Sequence, residues 1–501
     1  MKNPEALVSI FSQSRKGCRC TYFPQSDVPA DEPLNSFLPQ DSLASELPPL
    51  PELAEIDLVR HYSNLAELNM SVDTNFYPLG SCTMKYNPKR NETLSASPKF
   101  QGLHPLQSEK SIQGQLAIFY ELQTMLAEIT GLPAVSLQPA AGAHGELTGL
   151  LVAAKYFKEQ EKKGLPAKTT VLIPDSAHGT NPASAAFTGF KTVQVKSNAN
   201  GTLDIDDLDS KLNESVAVIM ITNPNTLGLF EKDFRLISEK IHNIGGLVYQ
   251  DGANLNAIAG IVRPGDIGAD IMHINVHKTF STPHGAGGPG AGPVAVRDFL
   301  APFLPSPIAG MSEGSKPSDE LHYTLFSPEK SIGKVRSFFG SSAVLNRAWL
   351  YLRTLGAEGV RRMSENAVLN ANYVLSLLKD VIEVPYSGNC MHEFVASGNR
   401  LKTGNGITTM DVAKRLIDYG IHPPTVYFPL LVKEAMMVEP TETESISTLE
   451  YFAETLRNIL TEDILAEDGS FLHNAPYTTD ISRPDEVSAA KNPVLVSPVS
   501  G

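Results

Sequence analysis

Lys278 is the residue whose surroundings look most like reaction machinery. It follows Ile271-Met272-His273-Ile274-Asn275-Val276-His277, a short apolar run with β-branched residues, and precedes a loop holding Gly285, Gly287, Gly288, Gly290 and Gly292. The pattern predicts a buried strand that delivers one lysine where the backbone turns sharply. A lysine is seldom buried without a partner. Either its stem snorkels to solvent, or its amine is held against a carbonyl cofactor as a Schiff base.

Other residues bear on that choice. Asp251, in Tyr249-Gln250-Asp251-Gly252-Ala253, ends the apolar run before the lysine run. Its carboxylate can pair with a protonated ring nitrogen, and Ala253 is small enough to lie flat on a ring face; Asp251 can equally cap a turn. His178 follows the run Thr170 to Ile173 and can stack on the opposite ring face, or be an ordinary turn histidine. The turn from Thr222 to Thr226 offers donors for a phenolic oxygen. Gln138-Pro139-Ala140-Ala141-Gly142-Ala143-His144-Gly145-Glu146 joins a strand-like run to a helical one. Its small residues let backbone N–H groups close on a phosphate at a helix start, although a plain structural turn has the same letters. Each feature is ambiguous alone. Phosphate loop, stacking ring, polar turn, aspartate and lysine, in that order at successive strand ends, converge on one sheet edge. Together they indicate a pyridoxal-phosphate lysine, with the aspartate keeping the pyridinium cationic so that the ring accepts electrons.

Two look-alike motifs carry no such chemistry. Gly285-Ala286-Gly287-Gly288-Pro289-Gly290 matches a dinucleotide fingerprint by letter, but that fingerprint needs a following helix and Pro293-Val294-Ala295-Val296 reads as a strand. His392-Glu393 lacks the second histidine of a zinc protease, and Cys18-Arg19-Cys20 lacks the second ligand pair of a zinc site, so no metal is expected.

The elements that must position these residues alternate in type. Strands are expected at Ala134 to Leu137, Thr170 to Ile173, Thr192 to Val195, Val216 to Ile221 and Leu247 to Tyr249. Helices are expected at Gly145 to Glu161, Asn181 to Ala186, Ile205 to Leu212 and Phe234 to Ile244. That rhythm predicts an α/β fold with a mostly parallel sheet covered by helices on both faces, whose ligands sit at the carboxyl ends of the strands. A helical stretch at 343–378 with a break at Ala357-Glu358-Gly359 leads into a smaller α/β unit. Residues 1 to about 60, with Pro24, Pro29, Pro33, Pro39, Pro48, Pro49 and Pro51, read as an extended arm. The expected divisions are 1–95 (arm and irregular segment), 96–350 (large α/β domain) and 351–501 (small C-terminal α/β domain).

With 501 residues and 42% apolar content the chain can bury a large core, and its net charge of −14 argues against nucleic acid or anionic membrane as partner. Four cysteines make no disulfide framework, and no secretory pattern opens the sequence, so a cytoplasmic location is expected.

Four stretches resemble a known family. Pro78-Leu79-Gly80-Ser81-Cys82-Thr83-Met84-Lys85, Asn275-Val276-His277-Lys278-Thr279-Phe280, Glu365 to Tyr373 and Met437-Val438-Glu439-Pro440-Thr441-Glu442 are similar to the glycine decarboxylases, the P-proteins of the glycine cleavage system, over about residues 60–480. Single-chain members carry two homologous halves, and this chain resembles the second, lysine-bearing half. The resemblance thus implies the catalytic subunit 2 of the two-subunit form, a fold type I pyridoxal-phosphate enzyme. It implies a homologous subunit 1 without the lysine, a heterotetramer, and the lipoylated H-protein as acceptor.

The implied reaction is loss of CO2 from glycine, with transfer of the aminomethyl group to the lipoyl arm. By resemblance Lys278 and His178 are catalytic, and Lys278, Asp251, Ala253, His178, His277, Ala141, Gly142, Ala143 and Thr226 hold pyridoxal 5'-phosphate. Ala141 stands where single-chain members carry serine, which leaves the phosphate to backbone N–H groups and His277. Another fold type I enzyme, such as a group II amino-acid decarboxylase or serine hydroxymethyltransferase, would share Lys278, Asp251 and His178 without the 79–85 loop or the Glu439-Pro440-Thr441-Glu442 motif.

Overall fold

The computed structural model describes all residues except 1–7, 22, 23, 25, 29–32, 47, 48, 286–289, 317, 321, 387, 465–468 and 496–501. Gly287 and Gly288 of the glycine loop, and Pro29 and Pro48 of the arm, therefore lie outside the described residues.

Residues 1–71 and 476–501 group into one unit and residues 72–475 into another. In the first, helix α1 (Glu55–Glu67) carries the buried His61, whose Nδ1 lies 3.2 Å from Gln13 Nε2. Among the described residues no helix is long and apolar enough to cross a membrane.

The second unit is built on a seven-stranded sheet. Its strands are β1 (Ala134–Ser136), β2 (Thr170–Pro174), β3 (Lys191–Val195), β4 (Val216–Thr222), β5 (Leu247–Asp251), β6 (Ile271–His273) and β7 (Val294–Val296), in the order β1-β7-β6-β5-β4-β2-β3. All neighbours pair in parallel except β7, which runs antiparallel to both β6 and β1. Every residue of β2, β4 and β5 is buried, as expected of strands covered on both faces. On β6, Ile271 and Met272 point to opposite sides. Met272 joins the core under α2 (Gln113–Thr130), with Leu116, Phe119 and Leu122, while Ile271 joins that under α3 (Gly142–Lys162), with Leu150 and Ala153. Helices α4 (Thr180–Phe187) and α5 (Phe234–Asn243) complete the cover.

Three local expectations need correction. The helix expected at Ile205 to Leu212 ends at Asp209. Tyr249 does not end its strand, which continues to Asp251. The lysine strand stops at His273, and Lys278 sits beyond it in a helical turn, α6 (Val276–Thr279). The polar Asn275 breaks the apolar run there, and its carbonyl accepts the N–H of Lys278 at 3.0 Å and of Thr279 at 3.2 Å.

Strands β8 (Ile308–Met311) and β9 (Tyr323–Phe326) form a separate ribbon. Helix α7 (Ser342–Leu378) bends at Gly356, whose φ of 63° and ψ of −177° suit glycine alone. Its last turns bury Ala371, Val374 and Leu378 against a three-stranded antiparallel sheet, β10 (Phe394–Ser397), β12 (Ala435–Val438) and β11 (Thr425–Val426), which α8 (Thr409–Asp418) and α9 (Ile446–Asn458) cover.

Candidate active site

The carboxyl ends of β2, β4, β5 and β6, together with the start of α3, assemble most of the expected residues along one sheet edge. Asp251 closes β5 and is buried. Its Oδ2 accepts from Asn181 Nδ2 at 3.0 Å, its Oδ1 from the Ala253 N–H at 2.9 Å, and His273 Nε2 lies 3.3 Å from Oδ1. Burial alone would raise this carboxyl. His273, the Asn181 amide, the Ala253 N–H and Lys278 outweigh it and hold Asp251 below the usual carboxylate range. An ionised carboxylate thus ends a central strand of the sheet.

Lys278 is also buried, and its Nζ donates to the Ser81 carbonyl at 2.5 Å. Next to it, the His277 imidazole is pushed down to about 3, by burial first and then by Lys278, His284 and His273, so it is neutral. His178 is exposed, with Nδ1 2.9 Å from Thr180 Oγ1 and its ring edge-on to Phe428 at 5.5 Å between centroids. Ala253 is half-buried two residues after Asp251. The Thr226 hydroxyl is committed: it donates to the Ser176 carbonyl at 2.5 Å, so it can offer a phenolic oxygen nothing without giving up that bond.

The loop before α3 is built for close approach. Ala141 is the N-cap of α3 and provides no side-chain acceptor for the first N–H groups. A Cβ on Gly142 would lie 2.0 Å from Asn275 Oδ1, an acceptor that is itself buried without a hydrogen-bond partner. A Cβ on Gly292 would lie 2.0 Å from the Ala141 carbonyl. Gly292 therefore serves the glycine loop by letting β7 approach the α3 turn. Uncapped helix N–H groups, an ionised carboxylate and a buried amine can accept, respectively, a phosphate, a protonated ring nitrogen and an aldehyde carbon.

Sequence reasoning missed a second set of groups around Lys278. The loop 78–87 is pinned to the small sheet by the Leu79↔Val438 bridge, by the Glu439 N–H donating to the Pro78 carbonyl at 3.2 Å, and by Thr425 Oγ1 donating to the Gly80 carbonyl at 2.6 Å. This brings Ser81 to Lys278 and to Glu393, whose Oε2 accepts the Ser81 N–H at 2.8 Å. Ser81 holds a left-handed φ of 63°, strained for serine. Glu439 Oε1 accepts from Thr83 Oγ1 at 2.5 Å, and Asn254 Nδ2 donates to Glu393 Oε1 at 3.3 Å. Burial pushes Glu393 up to about 7 against the Ser81 N–H, Lys278 and Asn254; burial and Glu393 together push Glu439 well above its usual value. Further in, Lys85 Nζ donates to Glu442 Oε1 at 2.6 Å, the Thr279 carbonyl at 2.8 Å and Asn256 Oδ1 at 2.9 Å. One signal for the acids was legible: Glu393 opens the apolar run Phe394-Val395-Ala396, an uncommon place for an unpaired carboxylate.

Sheet order, the buried lysine beyond β6 and the ionised aspartate ending β5 define the class, a fold type I pyridoxal-phosphate transferase-like fold. Residues 150–308 match the family model Aminotransferase class-V. A solved structure of glycine decarboxylase (P-protein) of the glycine cleavage system, in inhibitor-bound form, shares the fold with a TM-score of 0.71 at 22% identity, over 85% of this chain and 94% of that one.

Residues 363–477 match the family model Glycine dehydrogenase, C-terminal domain. The probable glycine dehydrogenase (decarboxylating) subunit 2 of Rhodopirellula baltica is 57% identical over 500 residues, 99% of this chain and 98% of the relative. That of Thermotoga maritima is 53% identical over 488 residues, 97% of this chain and 99% of the relative. The chain belongs to the glycine dehydrogenase (decarboxylating) subunit 2 family.

Proposed function

We propose that this chain is the lysine-bearing subunit of a two-subunit glycine decarboxylase: with pyridoxal 5'-phosphate it removes CO2 from glycine and passes the aminomethyl group to the lipoyl arm of an H-protein. The observation that carries the reading is buried Lys278 in the turn that follows β6 and ionised Asp251 at the end of the neighbouring β5, with the uncapped start of α3 packed on Asn275 beside them. The family membership supports the substrate and a homologous subunit 1 as partner.

The donor set fits the cofactor. Its ring, once bound, supplies an electron sink for the pair left on Cα when the carboxylate departs. The chain's own residues do the rest. The N–H groups of Gly142 and Ala143, reinforced by the α3 dipole, take the phosphate, with neutral His277 near enough to assist. Asp251 keeps a proton on the ring nitrogen, and its bonds to Asn181 and Ala253 fix its carboxylate before reaction, so no reorganisation is needed as charge develops. Ala253 and His178 would hold the ring from its two faces, His178 oriented by Thr180, which in turn donates to Glu146 Oε2 at 2.9 Å. Lys278 would provide the covalent anchor and, when free, a general acid/base amine. The 78–87 loop, held by Lys85, walls the lysine off from water on the side of the small sheet.

The test is exchange of labelled CO2 into the carboxyl of glycine by the chain with subunit 1, pyridoxal phosphate and lipoylated H-protein, with Lys278→Ala as control. Exchange is expected for the wild type only, and the variant should also lose the visible absorption of the lysine-bound cofactor. No exchange in the complete mixture refutes the substrate; unchanged spectrum and exchange in the variant refute the lysine.

A further inference from the structure

Resting on that reading, a charge count at Lys278 leads further. Among the described residues, the titratable groups that its charge acts on are Glu393 ahead of β10, Glu439 after β12, His392, Cys82 in the 78–87 loop, Asp251 at the end of β5, His277 and His284. Asp251 is already engaged by His273, Asn181 and the Ala253 N–H, and burial pushes both His277 and His284 down. Lys85 lies beyond and is balanced by its own partner Glu442. Acceptor atoms of His392, Glu393 and Glu439 all lie within 4.8 Å of one another, and all three side chains are essentially unexposed. His392 has no hydrogen-bond partner on either ring nitrogen and is held neutral by burial, so it brings no charge. With Asp251 engaged elsewhere, one cation, Lys278, is left to the two carboxyl groups of Glu393 and Glu439, whose side chains are closed off from solvent. Two anions that close in a dry site cannot both ionise.

The partners break the symmetry between the two acids. Glu393 accepts two hydrogen bonds, from the Ser81 N–H and Asn254 Nδ2, and neither donor can accept a proton in return. Glu439 accepts one, from Thr83, and its Oε2 is without a partner. The extra proton belongs on Glu439.

We propose that Glu393 and Glu439 hold one proton between them, Glu439 as the acid and Glu393 as the carboxylate that balances Lys278 through the Ser81 peptide. The Ser81 carbonyl accepts from Lys278 and its N–H donates to Glu393, so the strained Ser81 links the two charges. Both acids are positioning residues: they act by tuning the charge on Lys278.

The test uses the full chain loaded with pyridoxal phosphate and reads two signals, neither of which is turnover. In the infrared, the wild type at neutral pH should show a carbonyl stretch of a buried protonated carboxyl that disappears in Glu439→Gln and so stands out in the difference spectrum, while buried Glu231, pushed up to about 7 by its own burial, contributes equally to both proteins and cancels. In the visible, Glu393→Gln should lower the pH at which the absorbance of the lysine-bound cofactor titrates by about one to two units, the effect of removing one anion several ångströms from a cation at an effective dielectric of ~20. Glu439→Gln should leave that midpoint in place, and Glu393→Asp, which keeps the charge, should restore it. A difference spectrum of wild type against Glu439→Gln without a protonated-carboxyl band, or equal visible shifts in the two glutamine variants, would each overturn the pair. Should Glu393→Gln not fold, the infrared comparison of wild type with Glu439→Gln decides alone. Neither signal requires glycine, so failure of the exchange assay with both signals intact would strike the substrate and spare the pair.

Discussion

Replacing Lys85 with methionine tests how the site wall is held. Methionine roughly conserves the volume of the lysine stem, so the perturbation is the loss of the ammonium. That ammonium makes three short contacts, to Glu442 Oε1 at 2.6 Å, the Thr279 carbonyl at 2.8 Å and Asn256 Oδ1 at 2.9 Å, with side-chain exposures of 0% for Lys85 and 7% for Glu442. Removing one partner of a buried pair leaves the other charge uncompensated, at a cost of about 3–5 kcal/mol. Lys85→Met is expected to lose that much in urea denaturation followed by fluorescence of Trp349, the single tryptophan, which lies on α7 beside the main core. Lys85→Met with Glu442→Gln removes both charges and should cost less than the two single changes added, with a coupling of at least ~1.5 kcal/mol. Burial opposes the Lys85 charge, but Glu442 and Tyr351 more than offset it, so its folded pKa lies above the ordinary lysine value. Its stabilisation is therefore complete below the unfolded value, about 10.4, and lost as pH rises through the higher folded value. The penalty of Lys85→Met should shrink only in that alkaline range. A loss below ~1 kcal/mol, or strictly additive single changes, would refute the account.

Three further outcomes follow from the geometry. Asp251→Asn swaps an ionised acceptor for an amide whose N–H2 must oppose the Asn181 donor or give up the Ala253 N–H; turnover should fall at least ~100-fold in steady-state kinetics, with bound cofactor still detectable by absorbance. Gly292→Ala sets a methyl 2.0 Å from the Ala141 carbonyl, backbone against backbone, and should cost about 1–3 kcal/mol in urea and weaken cofactor retention on gel filtration. Burial holds His392 down to about 3, against about 6.5 when unfolded, so the unfolded state binds one more proton between those values and stability should fall by about 1.4 kcal/mol per pH unit as pH drops through them. His392→Gln should remove that part of the acid slope in urea midpoints measured from pH ~7 to ~4.

The sheet and its carboxyl edge were readable because each strand is a short apolar run and the helices between them carry a 3.6-residue period. That Asp251 and Lys278 lie at the same sheet edge followed from that, since parallel strands put their ends on one side. The helical turn around Lys278 was not readable: Val276 is apolar and β-branched, so it prolongs the strand pattern although β6 has already ended at His273. The hydroxyl partner of Thr226 was not readable for another reason: the Ser176 carbonyl that accepts its hydrogen bond lies 50 residues away in sequence. Glu393, Glu439 and Lys85 were hidden because their partners are remote; Thr83 and Glu439 are 356 residues apart and Lys85 and Glu442 are 357 apart. Local patterns cannot show that such charges will meet, and His392-Glu393 looked only like half of a metal motif.

The same remote pairings explain why the 78–87 loop and the segment after β12 occur together in this chain. Each buried cation is balanced by a carboxylate delivered from the small sheet or its connections: Glu442 reaches Lys85, and Glu393 reaches Lys278 through Ser81. Neither lysine could be buried by the large sheet alone, because Asp251, its acid at this edge, is already engaged by His273, Asn181 and Ala253. The small sheet therefore contributes charge compensation as well as a lid. Displacing it would expose one lysine and strand another, so the electrostatics that keep Lys278 dry also hold the cleft closed. A substrate that enters must either replace those carboxylates as counter-charge or leave them in place. A substrate that carries its own balancing charges, as the glycine zwitterion does, can do the latter, which agrees with the proposed reaction on grounds of charge.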